Sequence, residues 1–304
     1  QVMGATRAFL ASRRSSRNAA MRPPQRRPSR RGALAATVGC CLVAGALAED
    51  TAFAAPPACV SASAKLEGVV GADWNDFRLG SSVTTLGDID GDGVEDVAVG
   101  APGDNHAVVN ETTQQTDSIK NAGAVYVMLR NADGSVKNVT RWGASNAQRQ
   151  DWLGASVATV GDLDGDGLNE LVVGVPGVDA AGFFNTGGFT TLFLAPNGTV
   201  RSFAQVTRTT AALRILGIQN SWEFGTSLAP LGDVNDDGVP DLAVGAHQCH
   251  VAGGCVYVCH MQTTGVPDEC RVLEGETAPS FPSMLDGDYF GSAIAPIGDV
   301  DGDG

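Results

Sequence analysis

Carboxylate side chains recur at a fixed spacing in four short, glycine-rich stretches of this 304-residue chain. In the first stretch, Asp88, Asp90, Asp92 and Asp96 take positions 1, 3, 5 and 9 when counted from Asp88, and Val94 at position 7 can offer its backbone carbonyl. Four carboxylates and a carbonyl form an all-oxygen cage, which suits Ca²⁺ better than Zn²⁺. Mg²⁺ is less favoured, because it keeps more of its waters.

The later stretches repeat the spacing and predict about one calcium ion for each complete loop. Their candidate ligands are Asp162, Asp164, Asp166, Leu168 and Glu170; then Asp233, Asn235, Asp237, Val239 and Asp241; and finally Asp299, Asp301 and Asp303. Asn235 removes one negative charge, so the third loop is predicted to bind most weakly. Asp and Gly also fill ordinary turns, but recurrence of the same donor spacing argues against turns alone.

An EF-hand shares the early ligand positions but requires a Glu at position 12. This chain has Val99, Val173 and Val244 at that position. The flanking residues also have the composition of strands rather than helices, so the EF-hand is excluded. Gly93 at position 6 is expected to have a positive φ, which turns the chain around the ion.

The acidic stretches belong to a longer repeat, since their first aspartates lie 74, 71 and 66 residues apart. Four strands are predicted in each period. In the first they are residues 80–86, 96–100, 124–128 and 135–142, and later counterparts of the third and fourth strands are 189–194, 255–258, 204–216 and 271–274. Repeated strand units with Gly-rich turns indicate the blades of an all-β propeller rather than a two-sheet sandwich.

Two short motifs flank each acidic loop and resemble the FG-GAP repeat family, which includes integrin α-subunit head domains. They are Phe-Gly before the loop and Gly-Ala-Pro after it, seen at Phe224-Gly225, Phe290-Gly291 and Gly100-Ala101-Pro102. The departures are Leu79-Gly80, Leu153-Gly154, Gly174-Val175-Pro176 and Gly245-Ala246-His247. The resemblance implies a seven-bladed β-propeller, of which about three and a half blades are present here. It places calcium in the loops that join the first and second strands.

The resemblance also implies that partners bind the face opposite the calcium loops. The segments on that face would be residues 103–122, 177–187 and 247–254, with the inter-blade stretches 143–152 and 217–223. The four tryptophans lie on or beside inter-blade stretches, where packing between blades is favoured over a ligand-binding rim; they are Trp74, Trp142, Trp152 and Trp222. Phe183 and Phe184 are the better candidates for exposed aromatic residues.

Residues 1–54 have the composition of a targeting segment. Nine Arg precede an apolar run over 33–48, and A-x-A sites end at Ala48 and Ala54. This order predicts a secretory signal cleaved after either alanine, and an organelle transit peptide is the alternative.

Residues 49–304 contain 11 basic and 34 acidic residues, a net charge of −23. Such a charge excludes nucleic acid as a natural partner.

Five cysteines follow the targeting segment: Cys59, Cys249, Cys255, Cys259 and Cys270. Their spacing matches no common zinc site, so disulfides are favoured over metal binding. Three sequons, at Asn110, Asn138 and Asn197, would permit glycosylation if the chain is exported.

The predicted organisation is a targeting segment followed by a propeller-closing strand and successive blades. The ranges are 1–54 for targeting, 55–76 for the closing strand, 77–142, 143–216 and 217–285 for three blades, and 286–304 for the start of a fourth. Because seven blades need roughly 490 residues, we expect these residues to be a fragment that does not form a stable monomer.

The favoured function is a secreted or cell-surface, non-catalytic adhesion or recognition module that binds a protein or glycan. It would have a possible partner subunit, and a membrane contact only through an anchor beyond residue 304. The alternatives are the accessory propeller of a secreted hydrolase, such as a phospholipase-D-like enzyme, and a structural matrix or cell-wall protein. G-x-S-x-G, H-E-x-x-H and Walker motifs are absent from the sequence.

Overall fold

The structure is a computed structural model that describes residues 77–109, 116–144, 148–214, 216–273 and 285–298. Several sequence predictions lie outside these residues. They are the targeting segment, the closing strand, Trp74, Cys59, Asn110 and the fourth loop with Asp299, Asp301 and Asp303.

Strands dominate the described residues, and the helices among them are single turns. The strands are Ser82–Gly87 (β1), Asp96–Ala101 (β2), His106–Val109 (β3), Thr116–Ile119 (β4), Ala124–Arg130 (β5), Val136–Trp142 (β6), Val157–Gly161 (β7), Glu170–Gly174 (β8), Gly188–Leu194 (β9), Val200–Thr207 (β10), Ser227–Gly232 (β11), Asp241–Ala246 (β12), Cys255–Met261 (β13) and Pro267–Leu273 (β14). The helical turns are Ala211–Arg214 (α1) and Cys249–Ala252 (α2).

The strands form three four-stranded antiparallel sheets, each with its strands in chain order. The first sheet is β1-β2-β5-β6, the second β7-β8-β9-β10 and the third β11-β12-β13-β14. A separate hairpin, β3-β4, lies within the connection from β2 to β5. Because neighbouring strands are antiparallel, the first-to-second and third-to-fourth turns share one end of a sheet. This arrangement confirms the all-β prediction and is that of a partial β-propeller.

The hydrophobic core lies between successive sheets. Val125 and Val127 of the first sheet share one buried cluster with Leu171 and Leu192 of the second. A further cluster joins the second sheet to the third and includes Phe189 and Phe224, whose ring centroids lie 6.1 Å apart. Since a neighbour covers each inner face, the middle strands are apolar along their length, and all seven residues of β9 are buried.

Glycines bring the edges of adjacent sheets into close contact. A β-carbon on the glycine at or next to the end of the second strand would collide with a backbone carbonyl of the next repeat. The colliding pairs are Gly100 with Gly154, Gly174 with Gly225, and Gly245 with Gly291, and we call these three contacts the inter-blade seams. At each seam a serine Oγ donates to the same carbonyl; the donors are Ser82 at 2.9 Å, Ser156 at 2.8 Å and Ser227 at 2.6 Å.

The predicted fourth strand of the second repeat, residues 204–216, is wrong at both ends. The strand is Val200–Thr207, and α1 follows it. Thr210 ends the strand, because its hydroxyl accepts the Thr207 amide and its carbonyl accepts the amides of Leu213 and Arg214. The third repeat also differs from its predicted strand 271–274, since β14 begins four residues earlier, at Pro267. Proline is tolerated as the first residue of a strand.

Candidate metal centre

Each acidic loop joins the first and second strands of a sheet. We call residues 88–96, 162–170 and 233–241 the first, second and third acidic loops. The carboxylate at position 1 organises the loop, since Asp88 accepts backbone N–H groups from Gly91, Asp92 and Gly93 at 2.7–3.0 Å. Asp162 and Asp233 accept corresponding amides. The glycine at position 6 has a positive φ in every loop, as predicted; the values are 85° for Gly93, 89° for Gly167 and 87° for Gly238.

The carboxylate at position 9 is fully buried and ties the loop to its sheet. Asp96 accepts the Ile89 amide at 3.1 Å through one oxygen and the Arg130 amide, on the third strand, at 2.8 Å through the other. Asp241 is held in the same way by the amides of Val234 and Met261. Position 9 is therefore a structural anchor as well as a candidate ligand.

Glu170 occupies position 9 of the second loop and is longer by one methylene. Its Oε2 accepts the Leu163 amide at 2.6 Å, whereas its buried Oε1 has no hydrogen-bond partner among the described residues. Burial raises the pKa of Glu170 to about 7, and the charges of Asp164, Asp166 and Asp162 act in the same direction. A buried carboxylate oxygen without a partner is uncommon and calls for a ligand.

A similar atom lies in the first loop, where Asp90 Oδ1 is buried without a partner among the described residues. Oxygen atoms of the carboxylates at positions 1, 3 and 9 converge to within 4.8 Å of one another in two loops; the groups are Asp88, Asp90 and Asp96, and Asp162, Asp164 and Glu170. These two clusters could hold a metal ion. A hard divalent cation fits this donor set, because every donor is an oxygen and each cluster has an oxygen still to be satisfied.

The third loop differs at position 3. Asn235 donates through Nδ2 to Asp237 Oδ2 at 2.8 Å, so its amide balances part of the neighbouring charge. Asp236 replaces the usual glycine with φ of 60°, a conformation that Asp adopts more readily than most residues. His260 adds a contact that the loop sequence did not predict, with Nδ1 3.1 Å from Asp241 Oδ2.

Basic side chains from the fourth strands reach the first two loops. Lys137 Nζ donates to Asp90 Oδ2 at 2.6 Å and to Asp92 Oδ2 at 2.9 Å. These bonds raise the pKa of Lys137 above its usual value, and the bond from Lys137 lowers the pKa of Asp92. Arg201 Nη2 lies 2.6 Å from a carboxylate oxygen of Asp164 and 2.6 Å from one of Asp166. Sequence reasoning missed both residues, although each lies two positions after a Ser or Thr in the third-to-fourth turn.

The three acidic loops lie in segments whose sequences match a known repeat family. The FG-GAP repeat profile matches residues 79–128, 153–192 and 224–249. The chain contains FG-GAP repeats. It is 30% identical to integrin alpha-V of Gallus gallus over 234 residues, which are 71% of this chain and 19% of that protein. It is also 33% identical over 196 residues to integrin alpha-PS2 of Drosophila melanogaster and 36% identical over 169 residues to integrin alpha-11 of Homo sapiens. These matches cover 63% and 55% of the chain but 12% of each relative.

The end of the FG-GAP sheets opposite the acidic loops carries the predicted aromatic residues. The side chain of Phe184 is 66% exposed. The ring of Phe183 instead lies beneath the Arg208 guanidinium, whose Cζ is 3.5 Å from the ring centroid. Trp142 packs edge-on against Phe203 of the next sheet, with ring centroids 5.5 Å apart. Inter-blade packing is therefore the observed role of Trp142.

A cavity of about 270 Å³ lies between the first two FG-GAP sheets at the same end. Asp151 and Asp179 are among the residues that line it. Burial raises the pKa of Asp151, and the charge of Asp179 adds to the effect, although the Gln148 amide partly opposes it. The cavity is thus polar and acidic on one side.

Two disulfides pair the four cysteines of the third FG-GAP repeat. Cys249 at the start of α2 pairs with Cys255 at the start of β13, and Cys259 of β13 pairs with Cys270 of β14. In the part of the chain that the structure describes, no helix has the length and hydropathy needed to cross a membrane.

Proposed function

We propose that the protein is an extracellular calcium-binding β-propeller that acts, without catalysis, in adhesion or recognition. The observation that carries calcium binding is the pair of buried, unpartnered carboxylate oxygens, Asp90 Oδ1 and Glu170 Oε1, at equivalent loops of two repeats. Adhesion is supported by the similarity to integrin alpha chains, which extends over 71% of the chain in one case. The chain spans less than a fifth of the length of those relatives, so the role of the whole protein is part of the proposal.

Calcium would let carboxylates that otherwise repel one another share a small volume. In the first loop the ligands are the side chains of Asp88, Asp90, Asp92 and Asp96 with the carbonyl of Val94, and the other two loops use the corresponding residues. Position 1 already orders the loop through backbone hydrogen bonds, and position 9 fixes it to the sheet. The chain thereby presents oxygens at set positions, which lowers the entropic cost of binding the ion.

The proposed partner surface is the end opposite the acidic loops, and the partner is a protein, a glycan or a second subunit. Exposed Phe184 and the neighbouring Arg208 support this assignment, because aromatic and Arg side chains are enriched at interfaces.

The proposed blades are residues 77–142, 143–216 and 217–285, with a further blade starting at 286. Secretion through residues 1–54 is supported by the two disulfides, since such bonds persist in oxidising compartments.

Calcium binding is tested by calorimetric titration of the intact protein with CaCl₂. Asp90→Asn and Asp164→Asn should each remove one site or weaken it at least tenfold. Asp88→Ala is a poorer probe, because Asp88 also holds three backbone amides. Asp286→Asn removes the same charge at the opposite end and serves as the control. Unchanged stoichiometry and affinity in both loop variants would show that the acidic loops are only turns.

Adhesion is tested by attachment of cells to the immobilised intact protein. Attachment should occur in calcium and be lost in EDTA, and Phe184→Ser should reduce it without changing calcium binding. Equal attachment by wild type and Phe184→Ser would show that the partner surface lies elsewhere, and no attachment at all would count against adhesion.

N-terminal sequencing of the mature protein tests the cleavage of the targeting segment. The sequence should begin at Glu49 or Ala55 if the segment is cleaved as predicted.

A further inference from the structure

The fourth strand of each sheet carries one bulged residue just after its turn. In the first sheet Val136 pairs with Arg130 and Asn138 with Leu129, which leaves Lys137 between the two pairs. The register skips Arg201 in the second sheet and Asp268 in the third in the same way. A bulge changes the direction of the side chain at the extra residue. The three residues therefore occupy the same place relative to the acidic loop of their own sheet.

Two of the three bulged residues are cations bound to their loop. Lys137 and Arg201 each contact the carboxylates at positions 3 and 5, at distances between 2.6 and 2.9 Å. Those carboxylates are also proposed calcium ligands. The basic side chain neutralises part of the loop charge but leaves Asp90 Oδ1 and Glu170 Oε1 without hydrogen bonds. A divalent ion would satisfy these atoms, and it would repel the basic group.

The third sheet reverses the charge at the bulge. Asp268 is exposed and places a carboxylate where the other sheets place a cation. At the ligand positions of this loop Asn235 removes one negative charge, but Asp236 in place of the usual glycine adds one beside them, and the change from Lys or Arg to Asp at the bulge adds two. The third bulge–loop pair is therefore the most negative of the three, which is the opposite of the order predicted from the ligand positions alone.

We propose that Lys137 and Arg201 are internal counter-ions that compete with calcium at the first and second loops, whereas the third loop has Asp268 in place of a Lys or Arg at the bulge and meets the His260 ring at Asp241 instead. This inference rests on the proposed calcium binding. It makes the fourth strand, and not only the loop, a determinant of calcium affinity in each repeat. The first two repeats would be bound at higher calcium concentrations than the third.

The test is calcium titration calorimetry on variants of the intact protein. Lys137→Gln and Arg201→Gln should each strengthen their own site by roughly three- to tenfold, the range expected for removing one or two partly exposed ion pairs. Asp268→Lys should weaken the third site by a similar factor. Each measurement is made with the other two loops silenced by Asp90→Asn, Asp164→Asn or, in the third loop, Asp237→Asn, so that a single site is observed.

Lys137→Arg keeps the charge and should leave the affinity within about twofold. Lys120→Gln, which removes an equal charge from the connection between β4 and β5 of the same repeat, is the control and should not change the affinity. In EDTA, Lys137→Gln should lower the melting temperature, because the loop carboxylates lose their counter-ion, and calcium should then raise it by more than in wild type. If wild type binds calcium but Lys137→Gln and Arg201→Gln bind it equally or more weakly, the inference is overturned and the proposed function stands. A wild-type protein that binds no calcium overturns both.

Discussion

The hydroxyl of Ser156 in the second repeat donates a 2.8 Å hydrogen bond to the carbonyl of Gly225 in the third. The α-carbon of Gly174 lies against the same carbonyl, with no room for a side chain. The Gly225 carbonyl is therefore held by a hydrogen bond and by close packing, and it adds to the backbone hydrogen bonds that join the two repeats, such as that from the Phe224 amide to the Thr186 carbonyl.

Replacing Gly174 by alanine should destabilise the protein by more than about 2 kcal/mol, because the new methyl group would overlap a backbone oxygen that cannot move independently. Chemical denaturation measures the loss. Gly182→Ala is the control, since Gly182 has φ of 79° and open space around it, and should cost only about 1–2 kcal/mol of backbone strain. Equal losses in the two variants would mean that the seam tolerates a methyl group.

Without calcium, the protein should lose stability as pH rises from about 4.5 towards 7. The pKa of Glu170 is raised from 4.5 to about 7 in the folded state, so folding takes up a proton in this range and the free energy of unfolding falls with pH. The loss is at most about 3 kcal/mol. Denaturation in EDTA at pH 5.0 and 7.5 measures it.

Glu170→Gln should flatten that pH profile, because the amide does not titrate. Calcium binding to the second loop requires the ionised carboxylate, so the same group should make this site weaker below pH 7. A profile unchanged by Glu170→Gln would place the titrating group elsewhere.

The second disulfide should stabilise the third sheet. Cys259 and Cys270 close a short loop of 11 residues between neighbouring strands, and a bond of this kind contributes about 2–3 kcal/mol. The double variant Cys259→Ala/Cys270→Ala should lose this amount in denaturation experiments. Peptide mapping under non-reducing conditions should recover both pairs, and alkylation of any of the four cysteines in the unreduced protein would contradict the pairing.

A buried ionic cluster should contribute strongly to the stability of the first sheet. Asp104, only 2% exposed, accepts hydrogen bonds from Tyr126 Oη at 2.6 Å and from Arg141 Nε at 2.9 Å. Arg141→Gln should cost about 2–4 kcal/mol, because it leaves a buried carboxylate without its cation, and Tyr126→Phe about 1–2 kcal/mol. Arg271→Gln, which breaks an exposed pair with Glu269, should cost less than about 1 kcal/mol. Similar losses in the Arg141 and Arg271 variants would contradict the role of burial.

Most of what the sequence predicted about the acidic loops followed from the spacing of residues that are close together in the chain. Asp88 and Asp96 are eight positions apart, and their roles follow from a turn and the start of one strand. The same holds for Gly93, whose positive φ is required by its place in the loop. Neighbours in the chain determine such features, so the residue order is sufficient to predict them.

Features that depend on strand register could not be predicted in this way. Lys137 reaches Asp92 from 45 residues away, and only the bulge in β6 brings it there. The pairing of Cys259 with Cys270 likewise requires the two to face each other across β13 and β14. The helical turn that follows Thr210 depends on one hydroxyl, and the apolar residues beyond it had the pattern of a strand.

The seam glycines lie at the far end of the second strand from the acidic loop; Gly100 is four positions after Asp96, about 13 Å along the strand. The signature that identifies a repeat of this kind therefore sits mostly where blades join, whereas the ion would bind elsewhere. A substitution in a loop, such as Asn at position 3, can consequently change the ion site while the contact between neighbouring blades is kept. In proteins built from such repeats, the number of recognisable repeats would give the number of blades. The number of bound ions would have to be obtained separately, from the loops that keep their full set of carboxylates.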